Sequence, residues 1–178
     1  QKIQGTDTSG LDQFGISVAI SDNGTTAIVG AYTEDVHGAA YIFTRSGSTW
    51  TQQAKLQASD RQTHDEFGWS VAISANGNTA IVGARYETVN QWSKKQGAAY
   101  IFTRSGTTWT EQQKITASDR QPYDLFGTSV AISGDGDTAI VGADSEDPGG
   151  ASYADAGSAY IFTRSGTTWT QQQKIQAS

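Results

Sequence analysis

The chain has 178 residues, 36% of them hydrophobic, and a formal net charge of −6. It contains no cysteine, which excludes a disulfide framework and a thiolate metal site, and no apolar run approaches the roughly 18 residues of a membrane-spanning helix. The excess of acidic over basic residues, 18 against 12, disfavours a nucleic-acid partner, and the polar composition favours an extracellular or cell-surface protein over a cytosolic enzyme.

Residues 1–7 read QKIQGTD, and a similar segment, QKITASD, occurs at 113–119. Because the later copy ends a predicted outer strand, residues 1–7 are predicted to be a spare outer-strand segment. The remaining sequence repeats itself in three units, at approximately 11–59, 64–118 and 123–178. A period of this length without helical patterning predicts a single β-repeat array over residues 1–178.

Each unit begins with two short strands and a tight turn. The three copies read FGISVAISDNGTTAIVGA, FGWSVAISANGNTAIVGA and FGTSVAISGDGDTAIVGA. Val71 and Ile73 alternate with small or polar residues, as in a half-buried strand, and the following Asn-Gly or Asp-Gly pair predicts a hairpin. The second strand, TAIVGA, is apolar on both faces and therefore predicts burial between neighbouring sheets. Its glycine predicts a close approach of the backbones there.

A variable loop, a third strand and a polar fourth strand complete each unit. The second unit shows the pattern as GAAYIFTRSG followed by TTWTEQQKITAS. Apolar inner strands and a polar outer strand are typical of a propeller blade, whose last strand faces water. The sequence therefore predicts an all-β fold of three four-stranded antiparallel blades, with the recurring Phe and Trp residues in the core.

The phrases FGxSVAIS, TAIVGA and GAAYIF resemble the FG-GAP repeat, the blade of integrin-α-like β-propellers, in all three units. Members of that family are mostly extracellular and act in adhesion, ligand binding or assembly, and many hold calcium in a loop rich in Asp and Asn. The resemblance implies a surface-exposed, non-enzymatic interaction module and leaves the ligand undefined.

Three blades are too few to close a ring, because propellers use about four to eight. An isolated arc of three would expose apolar strands such as the one holding Ile81 and Val82. We therefore expect an incomplete ring whose partners are copies of itself or further repeats of the same chain. Association head to tail would give a closed ring or a filament, and residues 1–5 are expected to pair with strands of the preceding copy.

Aspartates form two candidate calcium sets. Asp135 and Asp137 lie in the third hairpin turn, and the other set lies in the linkers before each Phe-Gly pair: Asp60, Asp65, Asp119 and Asp124, with Asp7 and Asp12 at the same places in the first unit. Calcium takes six to eight oxygen ligands, more than either set supplies in one loop. We therefore predict no cofactor, with the hairpin aspartates making plain turns and the linker aspartates accepting backbone amide hydrogens; calcium remains the alternative.

The loops between the second and third strands differ in every unit and are the candidates for ligand recognition. They carry aromatic and basic side chains, to which Trp69 is added because it replaces Ile16 and Thr128 of the sister units. The candidate ligand-binding residues are Trp69, Tyr86, Trp92, Lys94, Lys95 and Tyr153. Such residues suit a glycan or a surface protein; alternatively, Trp92 folds back over its own loop.

Catalytic signals are weak, and one modification signal is present. Gly15-Ile16-Ser17-Val18-Ala19 lacks the second glycine of a nucleophile elbow, and the two histidines, His37 and His64, occupy non-equivalent positions. Asn23-Gly24-Thr25 fits an N-glycosylation sequon but also a hairpin turn. We expect a non-enzymatic extracellular structural or adhesion module that self-assembles or binds a surface partner; the alternative is a lectin-like, glycan-binding β-propeller.

Overall fold

The computed structural model describes residues 1–88, 95–146 and 156–176. These residues form three four-stranded antiparallel sheets, each with its strands in chain order. The first sheet contains β1 (Val18–Ile20), β2 (Thr26–Ala31), β3 (Ala39–Ser46) and β4 (Thr49–Leu56); the second contains β5 (Phe67–Ile73), β6 (Thr79–Ala84), β7 (Ala98–Ser105) and β8 (Thr108–Ile115); the third contains β9 (Ser129–Ile132), β10 (Thr138–Ala143), β11 (Ser158–Ser165) and β12 (Thr168–Gln176).

The predicted all-β fold of three four-stranded blades is confirmed. A three-residue 3-10 turn at Glu34–Val36 is the one helical element in the described residues. None of the helical structure in those ranges has the length and apolar character needed to cross a membrane. The three sheets do not close into a ring.

The turn between the first two strands of each sheet is held by its own asparagine or aspartate. In the first sheet, Asn23 Oδ1 accepts hydrogen bonds from the Thr25 amide at 3.0 Å and from Ser21 Oγ at 2.8 Å. Gly24 follows with φ of 64°, a conformation that glycine adopts without a steric cost. The Asn-Gly and Asp-Gly pairs thus reverse the chain in hairpins, as predicted.

The sheets stack face to face in chain order. We call the side of each sheet that packs on the next sheet its trailing face, and the other side its leading face. The trailing faces are built from residues that recur in the three units: Ile28, Ile42 and Leu56 in the first sheet, Ile81, Ile101 and Ile115 in the second, and Ile140, Ile161 and Ile175 in the third. The leading face of the second sheet meets them with Phe67, Val82 and Tyr100.

The sheets come closest where the second strand carries its glycine. A Cβ added to Gly30 would overlap the carbonyl oxygen of Gly68, and one added to Gly83 would overlap that of Gly127. A serine hydroxyl completes the second contact, because Ser70 Oγ donates to the Gly127 carbonyl at 2.7 Å. The predicted backbone approach at these glycines is therefore present at both junctions.

The two ends of the stack differ. The trailing face of the third sheet is open, with Ile140 39% and Ile175 44% exposed, and Ala131, Ile140 and Ile161 line a shallow apolar groove of about 270 Å³. The leading face of the first sheet is partly open, with Val18 66% and Ile20 56% exposed, whereas its Tyr41 and Phe43 are covered. Residues near the N-terminus, including Ile3 and Phe14, provide that cover.

Residues 1–7 form no strand, but they repeat the contacts that outer strands make with the next sheet. Gln1 exchanges two hydrogen bonds with the backbone of Trp50, at 3.0 and 2.8 Å, as Gln113 does with Trp169 at 3.0 and 2.7 Å. The Thr6 amide likewise donates to a side chain of β4, as the Ser59 amide donates to one of β8. The segment therefore occupies the position that the end of a preceding outer strand would take.

Candidate functional site

A polar cavity lies at the junction of the first and second sheets. Its volume is about 570 Å³, within the usual range for ligand sites. The side chains relevant to binding are His37, Arg61, His64, Tyr86, Thr88 and Lys95. They come from the variable loops of both sheets and from the linker between the sheets.

Backbone hydrogen bonds hold those three segments together. The His64 amide donates to the Val36 carbonyl at 2.7 Å, which ties the linker to the loop of the first sheet. The Tyr86 amide donates to the Asp65 carbonyl at 3.1 Å, which ties the same linker to the loop of the second sheet. The linker thus lies between the two loops, and side chains from all three segments surround the same cavity.

Both histidines line this cavity although they occupy non-equivalent positions in the repeat. His37 is half-buried, and its Nδ1 lies 2.5 Å from the carbonyl oxygen of Asp35. A carbonyl only accepts, so Nδ1 carries the proton and Nε2 is left for another partner. Sequence comparison among the units gave no sign of this pair. The parallel bridge between Gly38 and Phe67 explains it, because it joins the end of one loop to the linker that carries His64.

Arg61 and its counterpart Arg120 behave differently. Arg120 closes on the buried Glu87 of the preceding loop as an ion pair. Arg61 forms no hydrogen bond or ion pair with any residue in the described ranges, and it is exposed in the cavity. Glu34, the equivalent of Glu87, keeps one buried carboxylate oxygen without a hydrogen-bond partner.

Aromatic and basic side chains form a stack beside the cavity. The guanidinium carbon of Arg85 lies 3.1 Å from the ring centroid of Trp69 and 4.7 Å from that of Tyr86. Lys95 Nζ lies 3.4 Å from the Tyr86 centroid, and the Tyr32 ring packs edge-on against Trp69 at 4.9 Å. The sequence candidates Trp69, Tyr86 and Lys95 are thus adjacent, but Arg85 covers a face of Trp69 and leaves Tyr86 and Lys95 at the cavity wall.

The first aspartate of each linker pairs with a tyrosine and a lysine side chain. Asp60 accepts from Tyr100 Oη at 2.8 Å and from Lys114 Nζ at 2.6 Å, and Lys114 also reaches the buried Glu87 at 2.6 Å. Burial opposes ionisation of Asp60, but the hydrogen bonds from Lys114 and Tyr100 lower its pKa. The same four-residue cluster recurs as Asp7, Tyr41, Lys55 and Glu34 and as Asp119, Tyr160, Lys174 and Glu146.

The second aspartate of each linker accepts a backbone amide hydrogen. Asp65 Oδ2 is 2.6 Å from the Gln62 nitrogen, and Asp124 Oδ2 is 2.5 Å from that of Gln121. Both carboxylates are buried, and burial raises the pKa of each to about 6. No group of three acidic or histidine side chains in the described part of the chain is arranged to hold a metal ion.

The remaining candidates lie in the hairpin turns or outside the described residues. Asp135 Oδ1 accepts from the Asp137 amide at 3.0 Å, and Asp137 Oδ1 accepts from Arg164 Nε at 2.7 Å. Asn23 is exposed in its hairpin. Three ligand candidates, Trp92, Lys94 and Tyr153, fall outside the described residues.

The first of two solved structures that superpose on the chain shows a similar fold. Over 96% of its length the chain superposes on 37% of Sqt1 from Saccharomyces cerevisiae, with a TM-score of 0.57 and 10% identity. Over the same share it superposes on 58% of the periplasmic gluconolactonase PpgL of Pseudomonas aeruginosa, with a TM-score of 0.48 and 16% identity. The chain thus spans less than two thirds of either protein.

Sequence comparison identifies the repeat itself. No curated protein matches the chain. The profile of the FG-GAP repeat matches residues 1–43, 50–102 and 109–162, which together make up most of the sequence. The phrases that resemble this repeat are those that build the first three strands of each sheet and its closest inter-sheet contacts. The chain therefore belongs to the FG-GAP repeat family.

Proposed function

We propose that this chain is a non-enzymatic structural or adhesion module that is extracellular or lies at the cell surface. It extends its stack of sheets by binding further sheets of the same kind. These sheets come from copies of the chain or from further repeats of the same chain. The observation that supports the proposal is the open trailing face of the third sheet, which carries the apolar residues that the first two sheets bury.

The two open faces match each other as the buried ones do. Ile140 occupies the position of Ile28 and Ile81, which are fully buried against the next sheet. Val18 and Ile20 occupy the positions of Val71 and Ile73, which cover the first sheet in the same way. A further sheet placed on the third would therefore repeat an existing junction, and repetition of one head-to-tail contact gives a ring or a filament.

Residues 1–7 affect how such a contact forms. They hold the place on the first sheet that the end of an outer strand, such as the segment around Ile115, takes on the following sheet. Head-to-tail binding of a second copy therefore requires these residues to leave that place. This replaces simple pairing of residues 1–5 with the preceding copy, since they are already bonded to their own sheet.

Light scattering after gel filtration tests the proposal. We expect the wild type to form species larger than the 18.9 kDa monomer and Ile140→Asp to shift them to the monomer. Thr167→Asp adds the same charge at an exposed turn of the same sheet and is expected to leave assembly unchanged. A monodisperse wild-type monomer, or assembly that survives Ile140→Asp, would contradict the proposal.

A second function is favoured by the cavity at the first junction. Tyr86 and Lys95 were candidates for glycan binding from sequence, and both line it, with hydroxyl and amide groups nearby. An aromatic face beside polar groups is the usual chemistry of a sugar site. If the chain is a lectin-like module, the wild type should bind glycans on an array and Tyr86→Ala should lose that binding. An array on which the wild type binds no glycan would contradict this function.

A further inference from the structure

We infer that the cavity between the first and second sheets binds a saccharide that carries a carboxylate group. The inference rests on the second of the two functions above and specifies its ligand class. The carrying observation is the convergence of Arg61, Lys95 and two histidines in one cavity of a protein whose net charge is −6. A cluster of basic side chains creates a local positive potential, which attracts an anion even though the protein as a whole is acidic.

Arg61 is the central residue because the fold does not use it. Its counterpart Arg120 is bonded to Glu87 and to the Gly97 carbonyl, so it stabilises the second junction. Arg61 has no such bond within the described ranges, and the equivalent Glu34 retains an unpaired oxygen. The planar guanidinium of Arg61 is thereby left to form a bidentate contact with a ligand carboxylate.

The other lining groups suit a sugar better than a small inorganic anion. Thr63 and Thr88 offer hydroxyl groups, and the Tyr86 ring stands at the wall with Lys95 Nζ 3.4 Å from its centroid. A cavity of about 570 Å³ exceeds what one small anion fills. Hydroxyl partners and an aromatic wall around a cationic centre match an acidic sugar unit, with its carboxylate on Arg61.

Of the described acidic side chains, one lines the same cavity. Asp65 lines the cavity, but it is buried, it accepts the Gln62 amide, and burial raises its pKa to about 6. It therefore carries only part of its charge under mildly acidic conditions. Arg61 and Lys95 are exposed, whereas Asp65 is buried, so the cationic groups are the more accessible to a ligand.

Among the described residues, the second junction differs from the first in the groups that line this site. There Gln96 stands in place of His37, Tyr123 in place of His64, and Ser145 in place of Tyr86. Arg120 forms an ion pair with Glu87, whereas Arg61 is exposed. The repeat thus supplies a matched control within one molecule, since the same arginine serves the fold at one junction and is available at the other.

Calorimetric titration with two tetrasaccharides tests the inference. The acidic probe alternates glucuronic acid with N-acetylglucosamine, and the neutral probe is the tetramer of N-acetylglucosamine. We expect the wild type to bind the acidic probe and Arg61→Gln to weaken that binding about tenfold or more, with no change in melting temperature. Arg120→Gln is expected to lower the melting temperature and to leave the affinity unchanged.

The outcomes separate the inference from the function on which it rests. Equal binding of both probes, or equal weakening by Arg61→Gln and Arg120→Gln, would overturn the carboxylate inference and leave the lectin-like function in place. Competition by sodium acetate as strong as by the sugar would overturn it too, because the site would then recognise a bare carboxylate. No binding of either sugar at about 10 mM would overturn both.

Discussion

The trailing faces of the second and third sheets have nearly the same sequence, but the first of them is covered by a neighbouring sheet and the second is open. Ile81 and Ile140 occupy the same place in TAIVGA, yet Ile81 is fully buried and Ile140 is 39% exposed. Gly83 and Gly142 differ likewise, because Gly83 touches the next sheet and Gly142 touches only its own. The repeat therefore encodes a face that is competent to pack, and the neighbouring sheet decides whether that face stabilises the fold.

The largest expected effect comes from a charge placed on each face. Ile81→Asp buries an unpaired carboxylate between two sheets, so we expect a loss of about 4 kcal/mol or more in the free energy of unfolding. Ile140→Asp places the same group at a face that is open in the single chain and should cost about 1 kcal/mol or less when the chain is dissociated. Urea titration followed by circular dichroism, at a protein concentration low enough to keep the chain monomeric, measures both; equal costs there would show that the third face is covered within the single chain.

A methyl group added at the glycine is a milder test of the same comparison. Gly83→Ala would press Cβ against the Gly127 carbonyl of the next sheet, where backbone has to move, so we expect a loss of about 2 kcal/mol or more. In Gly142→Ala the nearest atom is the hydroxyl of Ser129, which can rotate away. That variant should lie within about 1 kcal/mol of the wild type in thermal unfolding, and the reverse order would contradict the packing described.

The buried linker carboxylates should not distinguish the junctions. The pKa of Asp65 and of Asp124 is raised from 3.8 to about 6 in the folded state, so each stabilises the fold below pH 3.8 and loses that contribution as pH rises through 6. Lowering the pH from about 7.5 to 5.5 should therefore stabilise the protein by roughly 0.8 kcal/mol per residue. Asp65→Asn and Asp124→Asn, which keep an acceptor oxygen, should each remove one such share.

The check is the melting temperature measured across that pH range for the wild type and both variants. The carboxylates Asp7, Asp60 and Asp119 have lowered pKa values and titrate below the range, so they do not mask the effect. A wild type whose stability falls between pH 7.5 and 5.5 would contradict the buried, raised state of the two aspartates.

The strands were predictable because their signals are local. The Asn-Gly and Asp-Gly turns, the alternation around Val71 and the glycine of TAIVGA each act within a few residues. The Asp–Tyr–Lys–Glu cluster was less accessible. Its members recur in all three units, which marks them, but Asp60 and Lys114 are 54 residues apart and meet only through the stacking of two sheets. The linker aspartates were accordingly assigned backbone partners, which Asp65 has, whereas the side-chain partners of Asp60, Tyr100 and Lys114, were missed.

The cavity was the least predictable feature, because it departs from the repeat. His37 and His64 occupy different positions in their units, so internal comparison separated them. The bridge between Gly38 and Phe67 and the bond from the His64 amide to the Val36 carbonyl bring their backbones together. The immediate neighbours of Arg61 and Arg120 are the same, since each stands in Ser-Asp-Arg-Gln. Their difference is that Arg120 reaches the carboxylate of Glu87, whereas Arg61 reaches none in the described residues.

The family match is out of phase with the sheets, and this has a consequence for how such arrays grow. The matched segment 50–102 starts in the outer strand of one sheet and ends in the third strand of the next. Duplication of that segment therefore inserts a new junction whose two sides are already joined by one continuous chain, and its close glycine contacts, such as Gly83 against Gly127, form between neighbouring copies. A gene can lengthen by whole repeats while every inserted sheet finds its outer strand supplied by the unit that follows.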